Sequence, residues 1–232
     1  MSIGVEVTRG ELASALGWLV EAGVDTLVGD GAHDWLADVA TLLPPVVRPV
    51  PKPAAAAAPQ LAAGVDSLET LAAAVEAFRA GSLITDGVAT SGVMLVGDAP
   101  TPGDIAAGRV FADDAGALLD RMLASIGRDR TAAYLTNASY WADGTDATVW
   151  RDRQLQLVRP RAILALGGVA TAALCGSSEG INRLRGRWQV ARIGDLEIPV
   201  LPTFHPAYLL RQPAHKALAW ADLCAFRARI DA

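Results

Sequence analysis

Residues 93–123, VMLVGDAPTPGDIAAGRVFADDAGALLDRML, decide the fold. The stretch opens on Val93-Met94-Leu95-Val96, an unbroken apolar run of the kind needed by a parallel strand covered on both faces. A segment rich in Gly, Pro and Asp follows. From Asp114 onward, Leu118, Leu119, Met122 and Leu123 return at helical spacing. The predicted order is strand, long loop, helix. Strand-to-helix connections usually run about 2–6 residues, so a loop this long marks a place for function. In an open α/β sheet, ligands bind in the crevice beyond the carboxyl ends of the strands.

Upstream, Asp66 with Glu69 three residues later reads as a capping box that opens a helix to about Phe78. Residues 44–64 are dominated by Pro and Ala, which excludes a continuous helix and predicts a partly extended linker. Helices are expected before it at 10–23 and 34–43. The organisation is thus an N-terminal helical segment (1–43), a linker (44–64) and a main domain (65–232). Downstream, a strand at 132–136 ends at Asn137, and a helix follows at 150–158. The strand Ala162-Ile163-Leu164-Ala165-Leu166 runs into Gly167-Gly168 and an Ala-rich helix to Leu174. Two strands at 190–193 and 198–201 flank Gly194-Asp195, and a helix over 213–230 closes the chain. Strands alternating with helices predict a three-layer α/β/α fold around a mainly parallel central sheet. The loops carrying Asp98, Asn137 and His205 then gather at one sheet edge.

The 232 residues are 52% hydrophobic and 19% charged, enough for one sizeable core. No run approaches the ~18 apolar residues of a membrane span, and the first residues lack the basic-then-apolar order of a secretory signal. A cytoplasmic protein without membrane association is expected. The net charge of −5 argues against a surface that binds nucleic acid everywhere. It leaves room for a local basic face: Arg183, Arg185 and Arg187 share one short segment, and Arg211 and Lys216 flank a Pro-containing loop. Cys175 and Cys224 read as reduced, structural thiols. His33 and His215 read as surface residues. There is no P-loop or GxGxxG pattern to support a nucleotide-binding domain of another kind.

Several segments resemble, in order, the bacterial and archaeal family-four uracil-DNA glycosylases. They are Gly97-Asp98-Ala99-Pro100, then Gly108-Arg109-Val110-Phe111, Ala115-Gly116 and Leu118-Leu119-Asp120-Arg121-Met122-Leu123. Thr136-Asn137, Arg159-Pro160 and Leu166-Gly167 follow, then Arg183-Leu184-Arg185-Gly186-Arg187-Trp188. Pro202-Thr203-Phe204-His205-Pro206-Ala207-Tyr208-Leu209-Leu210-Arg211 completes the series. The resemblance implies a uracil-DNA glycosylase-like fold, DNA containing uracil as partner, a monomer, and hydrolysis of the N-glycosidic bond in base excision repair.

That reaction builds positive charge on the sugar and negative charge on the departing base, and a site must stabilise both. The base must first be flipped from the stack into a pocket. The resemblance makes Phe111 the stacking ring and Asn137 the amide that reads the uracil edge, with Gly97 and Ala99 beside the base. His205 donates toward the uracil oxygen, and Pro206 holds its loop. Asp98, in place of the family's usual glutamate, positions the water. Leu209 or Leu210 is the wedge that fills the vacated stack, and Arg183, Arg185, Arg187 and Arg211 face DNA.

The sequence departs from that family in four ways. The four cysteines that hold a 4Fe-4S cluster are missing, with Trp141 at or near one of their positions, so the cluster and any metal are expected to be absent. Packing by Trp141, Trp150 or the turn at 143–146 then has to replace it. The usual Pro- and Arg-rich loop after Asn137 is replaced by a shorter, acidic Ala142-Asp143-Gly144-Thr145-Asp146. Asp98 is one methylene shorter than glutamate, and Thr101 stands where glycine is expected. These departures motivate an alternative: a catalytically degenerate homologue that binds DNA or a repair partner without cleaving.

Overall fold

The computed structural model describes residue 62 and residues 64–231. The helices expected at 10–23 and 34–43, nearly all of the 44–64 linker, and His33 lie outside the described residues. The first described helix, α1 (Leu68–Phe78), is capped by Ser67 rather than Asp66. Ser67 Oγ accepts the Thr70 N–H at 3.1 Å, and Thr70 Oγ1 accepts the Ser67 N–H at 3.0 Å. Asp66 and Ser67 are both cap-competent; the reciprocating hydroxyl at Thr70, rather than Glu69, closes the capping box and fixes the choice.

A six-stranded sheet follows, in the order β1-β3-β2-β4-β6-β5. Its strands are β1 (Thr85–Gly87), β2 (Val93–Gly97), β3 (Tyr134–Asn137), β4 (Ala162–Leu166), β5 (Gln189–Ile193) and β6 (Leu196–Thr203). β3, β2, β4 and β6 are mutually parallel, and β1 and β5 run antiparallel along the two edges. The apolar run at 93–96 reads as it does because both faces of β2 are covered, and all five of its residues are buried.

Alternate residues feed two cores. Leu95, Leu135, Leu164 and Leu201 pack with α3 (Asp114–Ser125) and α8 (Lys216–Ile230) through Leu119, Leu123, Leu223 and Phe226. Met94, Val96, Ile163 and Val200 face the other side, with Leu155 of α4 (Thr148–Val158) and Ala170 and Leu174 of α5 (Gly168–Cys175). These are the three layers of the predicted α/β/α arrangement. A third cluster joins Leu71 and Val75 of α1 to Tyr140, Trp141 and Trp150.

The long loop after β2 contains a helix, α2 (Pro102–Ala107). Thr101 caps it at φ −77°, and Asp104 reciprocates by accepting the Thr101 N–H at 2.8 Å. Position 101 therefore needs no left-handed backbone, and a residue with a capping hydroxyl fits where glycine was expected. The short helices α6 (Ile181–Leu184) and α7 (Pro206–Arg211) are also additions to the sequence reading. The expected helix at 213–230 starts as a 3-10 turn over Pro213–His215 before α8. No helix among the described residues is long and apolar enough to cross a membrane.

Candidate active site

The four parallel strands end side by side, and their pairing runs on into the loops. Gly97 is opposite Asn137, and Leu166 is opposite Thr203. Beyond them, the Ala138 N–H reaches Gly97 O at 2.8 Å, Ser139 N–H reaches Asp98 O at 3.0 Å, and Gly167 N–H reaches Thr203 O at 2.9 Å. Sheet hydrogen bonds thus fix where Asp98, Asn137 and His205 emerge.

Asn137 is 2% exposed, and its side-chain Oδ1 has no hydrogen-bond partner. A buried acceptor without a donor costs about 1–3 kcal/mol, so this atom is poised for a ligand N–H. A Cβ at Gly97 would lie 2.4 Å from that oxygen and 2.5 Å from Cζ of Phe111. Bare backbone at 97 lets the amide and the ring approach each other.

Phe111 is buried with φ +55°, the left-handed region that a non-glycine residue adopts at a cost of about 1–3 kcal/mol. Its surroundings hold it there. Arg130 donates from Nη1 to Val110 O and from Nη2 to Phe111 O, each at 2.7 Å. Asp104 Oδ1 accepts the Ala112 N–H at 2.6 Å. At Gly116 a Cβ would stand 1.8 Å from Phe111 O. Arg130 is itself paired with Asp86 at 2.9 Å and Asp120 at 2.7 Å.

The Phe111 ring lies 5.7 Å from the His205 ring at 38°. His205 is the N-cap of α7, and its Nδ1 accepts the Ala207 N–H at 3.1 Å. Because Nδ1 is an acceptor, the neutral ring carries its proton on Nε2 and can donate from there. Burial pushes the imidazole pKa below its ordinary value, and the Asp98 carboxylate offsets this in part. Burial pushes the Asp98 pKa up, opposed by His205 and by the Ala170 N–H, which Asp98 Oδ1 accepts at 3.1 Å. Gly167, at φ +104°, separates the two groups: a Cβ there would be 3.1 Å from Asp98 Oδ1 and 3.2 Å from His205 Cβ.

A cleft of about 530 Å³ opens over Asp98, Ala99, Gly167, His205, Tyr208 and Arg211. Another, of about 480 Å³, lies across the same Asp98-Ala99 segment, with Ser139, Thr145 and Arg151 in its walls. Of the two candidate wedges, Leu209 is 1% exposed in the core, whereas Leu210 is 39% exposed. Pro206 is buried at the first position of α7, and Arg211 is exposed. Arg183 and Arg187 are exposed, but Arg185 is half-buried and paired with Asp222, so the structure does not present the three arginines as one free set.

The acidic turn after Asn137 is tied down internally. The Thr145 hydroxyl and then the Arg79 guanidinium hold the Asp143 carboxyl at about 2, and Arg79 reaches Asp143 Oδ2 at 2.7 Å. Trp141 is buried and donates from Nε1 to Arg79 O at 3.0 Å, and the Phe78 ring stands 5.9 Å from both Trp141 and Trp150. His215, expected at the surface, instead stacks on Phe204 at 5.2 Å and hydrogen-bonds the Tyr208 hydroxyl at 2.7 Å.

Sequence reading alone missed Asp104, Arg130 and Asp222. Thr101-x-x-Asp104 carries a legible capping signal. Arg130 and Asp222 act on segments distant in the chain and leave no local signature.

The sequence matches the model of the uracil DNA glycosylase superfamily over residues 84–224, more than half of the chain. It is 29% identical over 163 residues to the type-4 uracil-DNA glycosylase of Pyrobaculum aerophilum, covering 64% of this chain and 83% of that protein. To the type-4 uracil-DNA glycosylase of Sulfurisphaera tokodaii it is 29% identical over 151 residues, 59% of this chain and 69% of that one. To the enzyme of that name from Archaeoglobus fulgidus it is 32% identical over 136 residues, 52% of this chain and 68% of that one. The matched span contains β2 to β6 with Asp98, Phe111, Asn137 and His205, and the chain belongs to the uracil-DNA glycosylase superfamily.

Proposed function

We propose that this protein is a monofunctional uracil-DNA glycosylase that hydrolyses the bond between a flipped-out uracil and its deoxyribose, as a cytoplasmic monomer in base excision repair. The observation that carries the reading is the His205 ring. Its Nδ1 is occupied by the Ala207 N–H and its pKa is lowered by burial, beside Phe111 and Asp98 at the sheet edge. A neutral imidazole with its proton on Nε2 is a donor suited to a uracil carbonyl oxygen that gains charge as the bond breaks.

The steps follow from the groups present. The flipped base stacks on Phe111, between Gly97 and Ala99, and its N3–H meets the unpartnered Oδ1 of Asn137. Cytosine offers a bare acceptor nitrogen at that place and would leave two acceptors facing each other, which selects against it. The C1′–N1 bond breaks with its electron pair going to the base, where His205 Nε2–H stabilises the developing oxyanion. Asp98, anchored through Oδ1 to the Ala170 N–H, orients a water whose oxygen bonds to C1′, and takes up its proton. Asp98 then releases that proton through solvent to the departing uracil anion, so the products are free uracil and an abasic sugar and the carboxylate is restored. Leu210 fills the vacated stack, Pro206 stiffens the approach to α7, and Arg183, Arg187 and Arg211 meet phosphates.

The residues present do not fit a 4Fe-4S cluster: such a cluster takes four thiolates, and the sequence holds two cysteines, Cys175 on α5 and Cys224 on α8. Trp141, Phe78 and Trp150 form an apolar support beside the Asn137 loop instead, and the reaction above uses no step through a cluster.

The test is incubation with a uracil-containing oligonucleotide followed by alkaline cleavage at abasic sites. Strand scission that is lost in His205→Ala is expected. No scission at high enzyme concentration, with DNA binding retained, would replace this reading with that of a homologue that binds without cleaving.

A further inference from the structure

Resting on that reading, we propose that Arg185 and Asp222 are positioning residues that aim His205, and that Arg185 is not a phosphate contact. His205 follows β6 by two residues, so its direction is set by Pro202, Thr203 and Phe204. Each of these three has a partner at the end of α6 or on α8. The Gly186 N–H donates to Pro202 O at 3.0 Å. Thr203 Oγ1 donates to Asp222 Oδ2 at 2.8 Å, and both residues are buried. The Arg185 guanidinium lies 5.4 Å over the Phe204 ring.

Asp222 joins these contacts. It accepts from Arg185 Nε at 3.0 Å and Nη2 at 2.5 Å, while Nη2 also reaches Leu218 O at 2.6 Å. At Gly186, with φ +71°, a Cβ would stand 2.7 Å from Asp222 Oδ1, so the turn after α6 is shaped to admit the carboxylate. Phe204 is further packed by Tyr208 at 5.0 Å and His215 at 5.2 Å, the latter from the turn that leads into α8. The strand exit, α6 and α8 therefore meet at one ion pair that contacts the two residues preceding His205.

Two arguments favour aiming over the alternatives. For DNA binding, the Arg185 fork would have to leave a carboxylate that already satisfies it in bidentate fashion, with its side chain 17% exposed. For stability alone, a buried ion pair is a poor device, since well-packed apolar groups of similar volume are often as stabilising or more so. What a bidentate pair adds is direction, and misplacement of a reacting group by about 1 Å costs about 10²-fold in rate.

The experiment compares wild type, Arg185→Lys and the triple variant Arg185→Met/Thr203→Val/Asp222→Leu, which removes every polar partner together. Single-turnover kcat, KM for DNA across a salt series, and thermal melting are measured. The expected result is a fall of about 10²-fold in kcat for both variants, with KM and its salt dependence unchanged and the triple variant still folded. A raised KM in the triple variant, where Arg185→Met removes the charge, with the slope of log KM against log salt reduced by about one, would mark a phosphate contact and overturn the proposal. A folded triple variant with wild-type kcat would overturn it in favour of a merely structural pair. Absence of excision by the wild type would instead overturn the glycosylase reading, and this inference with it.

Discussion

Gly97→Ala concentrates the geometry of the site in a single methyl group. Gly97 ends β2, and its φ lies outside the left-handed region, so alanine imposes no backbone strain there. The effect is purely steric. The new Cβ would sit 2.4 Å from Asn137 Oδ1 and 2.5 Å from Phe111 Cζ, whereas carbon atoms in contact rest at about 3.5–4.0 Å. The amide and the ring must each retreat by about 1 Å. Overpacking of this kind destabilises by about 1–3 kcal/mol, and a displacement of about 1 Å costs roughly 10²-fold in rate, which is about 2.7 kcal/mol of transition-state stabilisation. Single-turnover excision on a uracil oligonucleotide reads the rate, and a melting curve confirms the folded fraction. Gly103→Ala is the control: it lies in the same connection, and its Cβ meets only Thr101 Oγ1 at 3.6 Å. A Gly97→Ala protein within about threefold of wild-type kcat would refute the claim that Asn137 and Phe111 converge on a base across bare backbone.

Burial lowers the His205 pKa; if excision uses the neutral ring as proposed, kcat should stay level above the ordinary imidazole value and fall only at lower pH, with stability lost in the same direction as pH drops through the folded value. An acid limb centred at or above about 6.5 in the pH–rate profile would contradict this. Asp98 carries the opposite sign: burial raises its pKa, so its ionised form at neutral pH weakens the fold. Asp98→Asn should therefore melt higher than wild type at neutral pH, by a margin that closes as pH falls toward the ordinary carboxylate value, while excision drops by about 10²–10⁴-fold. Arg130→Met should cost about 2 kcal/mol by denaturant titration, below a fully buried pair because Asp86 and Asp120 keep contact with water. It should also raise KM for the oligonucleotide as Phe111 leaves its left-handed conformation; an unchanged KM would count against that role.

The sheet and its edge were legible in the sequence because both-face burial writes continuous apolar runs at 93–96 and 162–166, and alternation with helices then dictates parallel order. The residues gathered at the edge were legible only through the order of motifs, since an Asn, a Phe or a His alone carries no such meaning. Helices of four to six residues, such as α2, α6 and α7, are too short to show a period. The tethering of Arg130 and of Arg185 was illegible for a common reason. Their partners lie 19 and 37 residues away in sequence, at Phe111 O and Asp222, and no local pattern distinguishes a tethered arginine from a free one.

The continuation of strand pairing past Gly97 and Thr203 has a consequence for how the protein fails. Binding loops are usually the least protected parts of a fold and open long before it melts. Here the amides of Ala138, Ser139 and Gly167 belong to the ladder of the central strands, so their hydrogen exchange should be governed by global rather than local opening. Catalytic competence should then vanish at the same temperature as the fold itself, without a window in which an intact domain has lost its active site.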